Sequence, residues 1–133
     1  MDSESTIVRS NRTRAAKCLD IVRFMKTKKY KLVFTVPLAQ ADEVRTAIGN
    51  AGAGKIGNYS FCSFSTRGIG RFKPEKNSSP TIGQAGKIES VEEERVECQI
   101  DGQVVKKVIA ALRQAHPYEE ILFDLYELET GDL

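Results

Sequence analysis

The chain has 133 residues, a length that fits one domain with a single hydrophobic core. Apolar residues make up 41% and charged residues 29% of the sequence, as is usual for a globular protein. The formal net charge of +2 gives no indication of nucleic-acid binding, so we expect no nucleic-acid partner.

The cysteine pattern and the absence of long apolar runs predict a location. Cys18, Cys62 and Cys98 are an odd number without close spacing, which argues against a disulfide framework or a zinc knuckle. No apolar run is long enough to span a membrane, and the polar first ten residues do not resemble a secretory leader. We therefore expect a cytoplasmic protein with no membrane partner.

Residues 1–28 differ from the rest of the chain, because they are basic and only weakly periodic. We interpret them as a basic, partly disordered or helical extension. Such a segment is also typical of a mitochondrial presequence, although presequences contain few acidic residues and this one has Asp2, Glu4 and Asp20.

The first two elements of the domain are predicted just after this extension. The segment "KYKLVFTVP" (29–37) alternates and is rich in β-branched and aromatic residues, which predicts a strand that Pro37 ends. Apolar residues then recur at helical spacing from 38 to 51, with acidic residues in the first turn and Gly52 after the last one. This pattern predicts a helix.

Four further elements follow in the sequence. They are a second strand, a third strand, a second helix with Asp101 as its N-cap, and a last strand: "NYSFCSFST", "KIESVEEERVECQI", "DGQVVKKVIAALRQAH" and "EILFDLYEL". The order βαββαβ predicts an α+β, ferredoxin-like fold, with an antiparallel sheet and two helices on one face. We expect the domain at 29–130 and a tail at 131–133.

The first and last strands carry apolar residues on both faces. In the last strand two apolar sets alternate: Ile121, Phe123 and Leu125, and Leu122, Tyr126 and Leu128. Two helices cover only one face, so we expect a second copy of the chain to cover the other. The alternative is that the N-terminal extension covers it in a monomer.

A long loop, "RGIGRFKPEKNSSPTIGQAG" (67–86), joins the second and third predicted strands. Its glycines free backbone N–H groups for an anion, and its cations supply charge. We therefore predict a small anionic ligand at Arg67, Arg71 and Lys73. The spacing matches neither the P-loop nor the dinucleotide motif, and the alternative is a solvated, flexible loop.

The stretch "AHPYEE" (115–120) holds the only histidine. His116 with Glu119 and Glu120 could hold a divalent metal ion, but a lone histidine is usually not a metal site. The alternative is a helix stop, because Pro117 follows and an imidazolium complements the helix dipole. One histidine supports no catalytic triad, so we assign no catalytic residue.

Several stretches, in this order, resemble the domain inserted in the middle of Nif-three-like proteins of the YqfO type: "KLVFTVP", "GAGKIGNYSFCSFS", "GIGRFKP", "TIGQAGKIESVEEERVE" and "AHPYEEILFDLYEL". The resemblance covers about residues 30–129. That domain is also similar to the CutA proteins, which are trimeric and related in fold to the PII signalling proteins. The tryptophan of the CutA pattern before "GKIE" is absent, since this chain has none.

The resemblance implies a PII/CutA-like domain, here expected as a stand-alone chain, and favours a homotrimer. In full-length relatives the halves that flank this domain form a paired-metal site, so the resemblance carries no such site onto these residues. By similarity to PII, the long loop would meet the ligand. By similarity to CutA, the "HPYE" turn would lie near a subunit interface where metal has been suspected.

Together these observations predict a non-enzymatic, oligomeric domain that binds a small ligand or a metal ion in a cleft between subunits. The predicted site residues fall into a ligand-binding set, Arg67, Arg71, Lys73 and Tyr118, and a metal-binding set, His116, Glu119 and Glu120. Two alternatives remain open. One is a metal-dependent enzyme subunit that acts on a phosphate-bearing substrate, and the other is a protein-interaction module that caps a larger assembly.

Overall fold

The computed structural model of the chain describes residues 28–129. The predictions for the extension at 1–28, apart from Lys28, and for the tail at 131–133 therefore lie outside the described residues. Within the described part, no helix is both long and apolar enough to cross a membrane.

The first strand and the first helix form where the sequence predicts them. Strand β1 spans Lys29–Pro37, and every second residue from Leu32 onwards is buried on one face. A 3₁₀ turn at Leu38–Gln40 then leads into helix α1, Ala41–Asn50. Gly52 follows the helix with a φ of 109°, a conformation that glycine adopts without a steric penalty.

The second strand lies further along the chain than predicted. We expected it at 58–66, whereas strand β2 spans Phe64–Phe72. Residues 58–63 instead fold back along the end of α1: Phe61 has a φ of 59°, and the Cys62 N–H donates to the Gly54 carbonyl at 2.9 Å. A left-handed phenylalanine cannot continue a regular strand, so pairing begins only after it.

The second half of the fold follows the prediction with shifted ends. Strand β3 spans Glu89–Asp101, a 3₁₀ turn Gly102–Val104, helix α2 Val105–Ala115 and strand β4 Phe123–Leu128. Asp101 lies at the predicted N-cap position, before the 3₁₀ turn that leads into α2. Its side chain makes no capping hydrogen bond and lies 3.6 Å from the Lys29 ammonium instead.

The four strands form one antiparallel sheet in the order β2-β3-β1-β4, which confirms the ferredoxin-like βαββαβ fold. Both helices lie on one face. The core between helices and sheet comprises these buried residues: Leu32, Phe34, Val36, Ala41, Val44, Ile48, Ala51, Ala53, Val96, Cys98, Ile100, Val108 and Leu112. Each large apolar side chain buried there contributes about 1.5–3 kcal/mol to folding.

We call the other side of the sheet the open face. One cross-strand row on it is formed by Phe64, Glu97, Val33 and Asp124. Phe64 remains 67% exposed and Tyr126, in the neighbouring row, 53% exposed. The open face thus mixes exposed aromatic residues with charges, and no helix of residues 28–129 packs on it.

Candidate functional site

The β2–β3 loop is shorter than predicted, because β2 continues to Phe72 and β3 begins at Glu89. Arg67 and Arg71 therefore lie on strand β2 and not in the loop, which corrects the prediction that placed both there. Lys73 is the first residue of the loop. The Gly86 N–H donates to the Pro74 carbonyl at 2.7 Å and closes the base of the loop.

Two hydrogen bonds hold this loop against the turn that follows α2. The Ser79 N–H donates to Glu119 Oε1 at 2.9 Å, and the Thr81 hydroxyl donates to the Pro117 carbonyl at 2.7 Å. We call this pair of bonds the strap. Because of it, the loop and the "AHPYEE" turn form two walls of one cleft, although more than 30 residues separate them in sequence.

His116 ends helix α2 and is 6% exposed. Its Nε2 lies 2.7 Å from the Thr35 carbonyl, and its Nδ1 accepts the Tyr118 N–H at 3.1 Å. The ring is therefore the neutral Nε2–H tautomer, in which both nitrogens have partners. Burial lowers the pKa of His116, and the hydrogen bond to Thr35 opposes only part of this effect.

The helix-stop interpretation of His116 agrees with this geometry, but the imidazolium that it invoked does not. A ring whose Nδ1 accepts a hydrogen bond carries no charge, so it does not act on the helix dipole as a cation. No group of three or more histidine, cysteine or acidic side chains within residues 28–129 is placed to hold a metal ion. The metal assignment to His116, Glu119 and Glu120 stays a prediction.

The cleft between loop and turn has a volume of about 620 Å³, which is in the range of small-molecule sites. Of the predicted site residues, it brings together Arg71, Lys73, Tyr118, Glu119 and Glu120. The rings of Phe72 and Tyr118 lie 5.7 Å apart. The remaining wall is mainly apolar and comes from the loop and the residue before β4: Pro74, Pro80, Ile82 and Leu122.

Arg67 is not part of this cleft. It pairs across the strands with Glu94, which also forms an ion pair with Arg45 of helix α1. Burial raises the pKa of Glu94, but hydrogen bonds from Ser65 and Arg45 and the charges of Arg45 and Arg67 lower it below its ordinary value. Arg67 thus belongs to a charge network on the helix side of the sheet.

The floor of the cleft contains a residue that we did not predict. Glu93 is 5% exposed and lies on the face of β3 opposite to Glu92 and Glu94. Burial raises the pKa of Glu93, and a hydrogen bond from the Thr35 side chain offsets only part of this effect. The sequence signal was the glycine pair of "RGIG", because Gly68 is the direct cross-strand partner of Glu93 and Gly70 lies diagonal to it.

A second, smaller cavity of about 260 Å³ lies between α1 and the segment before β2, and both described cysteines line it. Cys62 and Cys98 are free thiols, and burial raises the pKa of Cys98 to about 11. A thiol of such high pKa is a poor nucleophile. We therefore assign no chemistry to this cavity.

Comparison with solved structures defines the fold first. The CutA divalent cation tolerance protein from Archaeoglobus fulgidus superposes with a TM-score of 0.56 at 16% identity, covering 77% of this chain and 86% of that one. CutA1 from Shewanella sp. SIB1 gives a TM-score of 0.58, also at 16% identity. The chain is therefore a CutA-like ferredoxin-like domain in fold.

Sequence similarity then identifies the family. A "GTP cyclohydrolase 1 type 2 homolog" from Halalkalibacterium halodurans is 50% identical over 99 residues, and one from Bacillus subtilis is 48% identical over 99 residues. A Bacillus cereus protein related to NIF3 superposes with a TM-score of 0.68 at 45% identity, covering 78% of this chain and 26% of that one. The chain belongs to the Nif-three-like family of the YqfO type.

The matched region covers 74% of this chain but only 27% and 26% of the two curated relatives. The chain thus spans about a quarter of their length, and their names describe proteins with much more sequence. A comparison with models of known protein families gives no match.

Proposed function

We propose that this chain is a non-enzymatic, homo-oligomeric domain that binds a small anionic ligand in the cleft between the β2–β3 loop and the "AHPYEE" turn. The observation that carries the proposal is the cleft itself, about 620 Å³ in volume and closed by the strap. A loop that is hydrogen-bonded into a cleft wall is more typical of a binding site than of a flexible linker.

The charges along the cleft support binding of the anionic part of the ligand at the β2 end. Arg71 and Lys73 line the cleft there, and neither is among the ion pairs found within residues 28–129. The acidic residues Glu75, Glu119 and Glu120 also line the cleft, but they border an adjoining depression together with Lys76 as well. A phosphate or carboxylate near Arg71 accepts charge-assisted hydrogen bonds.

The non-enzymatic part of the proposal is supported by the chemistry of the candidate groups. The neutral, fully bonded ring of His116 and the high pKa of Cys98 leave neither side chain ready to act as a base or a nucleophile. We extend the proposal to a cytoplasmic location, where the free thiols of Cys62 and Cys98 would remain reduced.

A thermal-shift screen with inorganic phosphate, citrate and ribose 5-phosphate tests this function. We expect at least one of these anions to raise the melting temperature of the wild type, because a ligand that binds only the folded state stabilises it. Arg71→Ala should weaken that binding by about tenfold or more, since it removes hydrogen bonds to a charged group.

The matched control is Arg67→Ala, which removes the same side chain four positions earlier on β2, next to Glu94 and outside the cleft. This variant should bind the anion as the wild type does. The proposal is wrong if no anion stabilises the wild type, or if the two arginine variants lose affinity equally.

A further inference from the structure

The floor of the cleft contains two polar atoms without a hydrogen-bond partner. Glu93 Oε2 and the Tyr118 hydroxyl are the buried side-chain atoms of residues 28–129 that lack one. Buried polar groups in folded proteins almost always have a partner, because a buried group without one destabilises the fold. Both residues line the same cleft, and the charge of Glu93 acts on Tyr118, so the two side chains are neighbours on its floor.

The Glu93 side chain occupies space that is open only because residue 70 is a glycine. A Cβ built on Gly70 would collide with the Glu93 carboxylate, whereas a Cβ on Gly68 would meet nothing within 4 Å. Thr35 holds the same carboxylate from the other side by its side-chain hydrogen bond. Glu93 is therefore positioned by its neighbours on β1 and β2, as expected of a recognition residue.

The surroundings of the two atoms favour an uncharged partner. Burial raises the pKa of Glu93, and burial together with the charge of Glu93 raises the pKa of Tyr118 to about 12. The desolvation that raises the pKa of both side chains also opposes a charged ligand group next to them. The Tyr118 phenol supplies an O–H donor, and Glu93 Oε2 supplies an acceptor.

We propose that Glu93 and Tyr118 recognise the uncharged, planar part of the ligand, a lactam or similar amide that presents an N–H donor beside a carbonyl acceptor. The lactam N–H donates to Glu93 Oε2, and its carbonyl accepts the Tyr118 O–H. The rings of Phe72 and Tyr118 and the side chains of Ile82 and Leu122 line the space around such a planar group.

Because the two atoms are shielded from solvent, the access of a ligand to them depends on the strap. In the closed cleft neither atom is accessible, so the ligand reaches them when the loop moves away from the turn. Breaking the bonds from Ser79 to Glu119 and from Thr81 to Pro117 releases the loop without unpairing any strand. The inference rests on the proposed function, because Arg71 and Lys73 hold the anionic part of the same ligand.

Calorimetric titration with four probes tests the inference. Uridine and inosine 5′-monophosphate carry a lactam and a phosphate, N3-methyluridine 5′-monophosphate has its lactam N–H blocked, and ribose 5-phosphate has no planar head. We expect the two lactam probes to bind at least about tenfold more tightly than the blocked and headless probes, since one hydrogen bond contributes up to about 1.5 kcal/mol.

Two conservative variants test whether Tyr118 and Glu93 cause the preference for the lactam probes. Tyr118→Phe removes only the hydroxyl and should abolish most of the preference for the lactam, while Tyr126→Phe on the open face should leave it unchanged. Glu93→Gln, which keeps an acceptor oxygen at this position, should bind the lactam probes within about threefold of the wild type. Circular dichroism of each variant establishes that it is folded.

The outcomes separate the two proposals. If all phosphate probes bind equally and lose affinity in Arg71→Ala, the recognition of an uncharged head is wrong and the anion site stands. If neither lactam probe binds at millimolar concentration, the inference is overturned, and the separate anion screen decides the proposed function. An unchanged lactam preference in Tyr118→Phe also overturns the inference.

Discussion

Thr35 connects the helix stop with the floor of the cleft through its two polar groups. Its carbonyl accepts the Nε2–H of His116, and its side chain is hydrogen-bonded to Glu93. One residue of β1 therefore fixes both the turn after α2 and the buried carboxyl. At the scale of single residues, the cleft is built by pairs of this kind and not by a cluster of charges.

Gly70 gives a direct test of how tightly this floor is packed. We expect Gly70→Ala to destabilise the protein by about 1–3 kcal/mol, because the new methyl group displaces the buried Glu93 carboxylate. Gly68→Ala is the matched control on the same strand, where the methyl group meets open space. Urea denaturation measures both, and equal stability of the two variants would contradict the packing described.

His116 makes the stability depend on pH. Its pKa in the folded protein lies below the ordinary 6.5, so the unfolded chain binds the proton more readily. The neutral ring therefore contributes stability above pH 6.5 that is lost as the pH falls through the folded pKa. Urea denaturation of wild type and His116→Gln from pH 7.5 to 5.5 should show a stability difference that shrinks on acidification, and a constant difference would refute this.

At the scale of elements, the sequence predicted the strands and helices better than their junctions. β1 was predicted to the residue, because alternation and Pro37 both mark it. β2 was predicted six residues too early, because "NYSFCS" has a strand-like composition. The left-handed conformation of Phe61 and the hydrogen bond between Cys62 and Gly54 depend on tertiary structure. Local propensity carries no information on such contacts.

The residues that line the cleft were predicted only in part, because the local sequence carries no information on tertiary contacts. Arg71, Lys73 and Tyr118 were chosen by composition and by family resemblance, and the structure brings them into one cleft. Arg67 is the same type of residue as Arg71, but it pairs with Glu94 across the strands. Only the folded sheet defines this register. Glu93 was missed because a run of three glutamates resembles a solvated strand until the burial of each face is known.

The strap should control the mobility of the β2–β3 loop. Thr81→Val keeps the shape of the side chain but removes the hydrogen bond to the Pro117 carbonyl, so amide hydrogens of the loop should exchange faster with solvent. Ser78→Ala is the control, because its hydroxyl bonds only to Glu75 within the loop. Hydrogen exchange by mass spectrometry measures both, and equal exchange would show that the strap does not hold the loop.

For the whole molecule, the proposed assembly depends on the open face. Phe64 and Tyr126 are exposed there, while the ion pairs from Lys31 and Arg95 to Glu97 give it a fixed pattern of charge. Aromatic residues in a mixed polar surround are typical of protein interfaces. The proposed oligomer would bury this face against other copies of the chain.

Light scattering after size exclusion tests the assembly, and we expect the wild type to elute as a trimer. Placing a charge on the open face, at the start of the edge strand β2, by Phe64→Asp should shift the protein to monomers, because an unpaired carboxylate is costly to bury. Ile56→Asp is the control, since Ile56 is 46% exposed and lies in a small bridge with Tyr59 away from the sheet. A monomeric wild type would refute the oligomer, and an Ile56→Asp variant that dissociates equally would move the interface to the segment before β2.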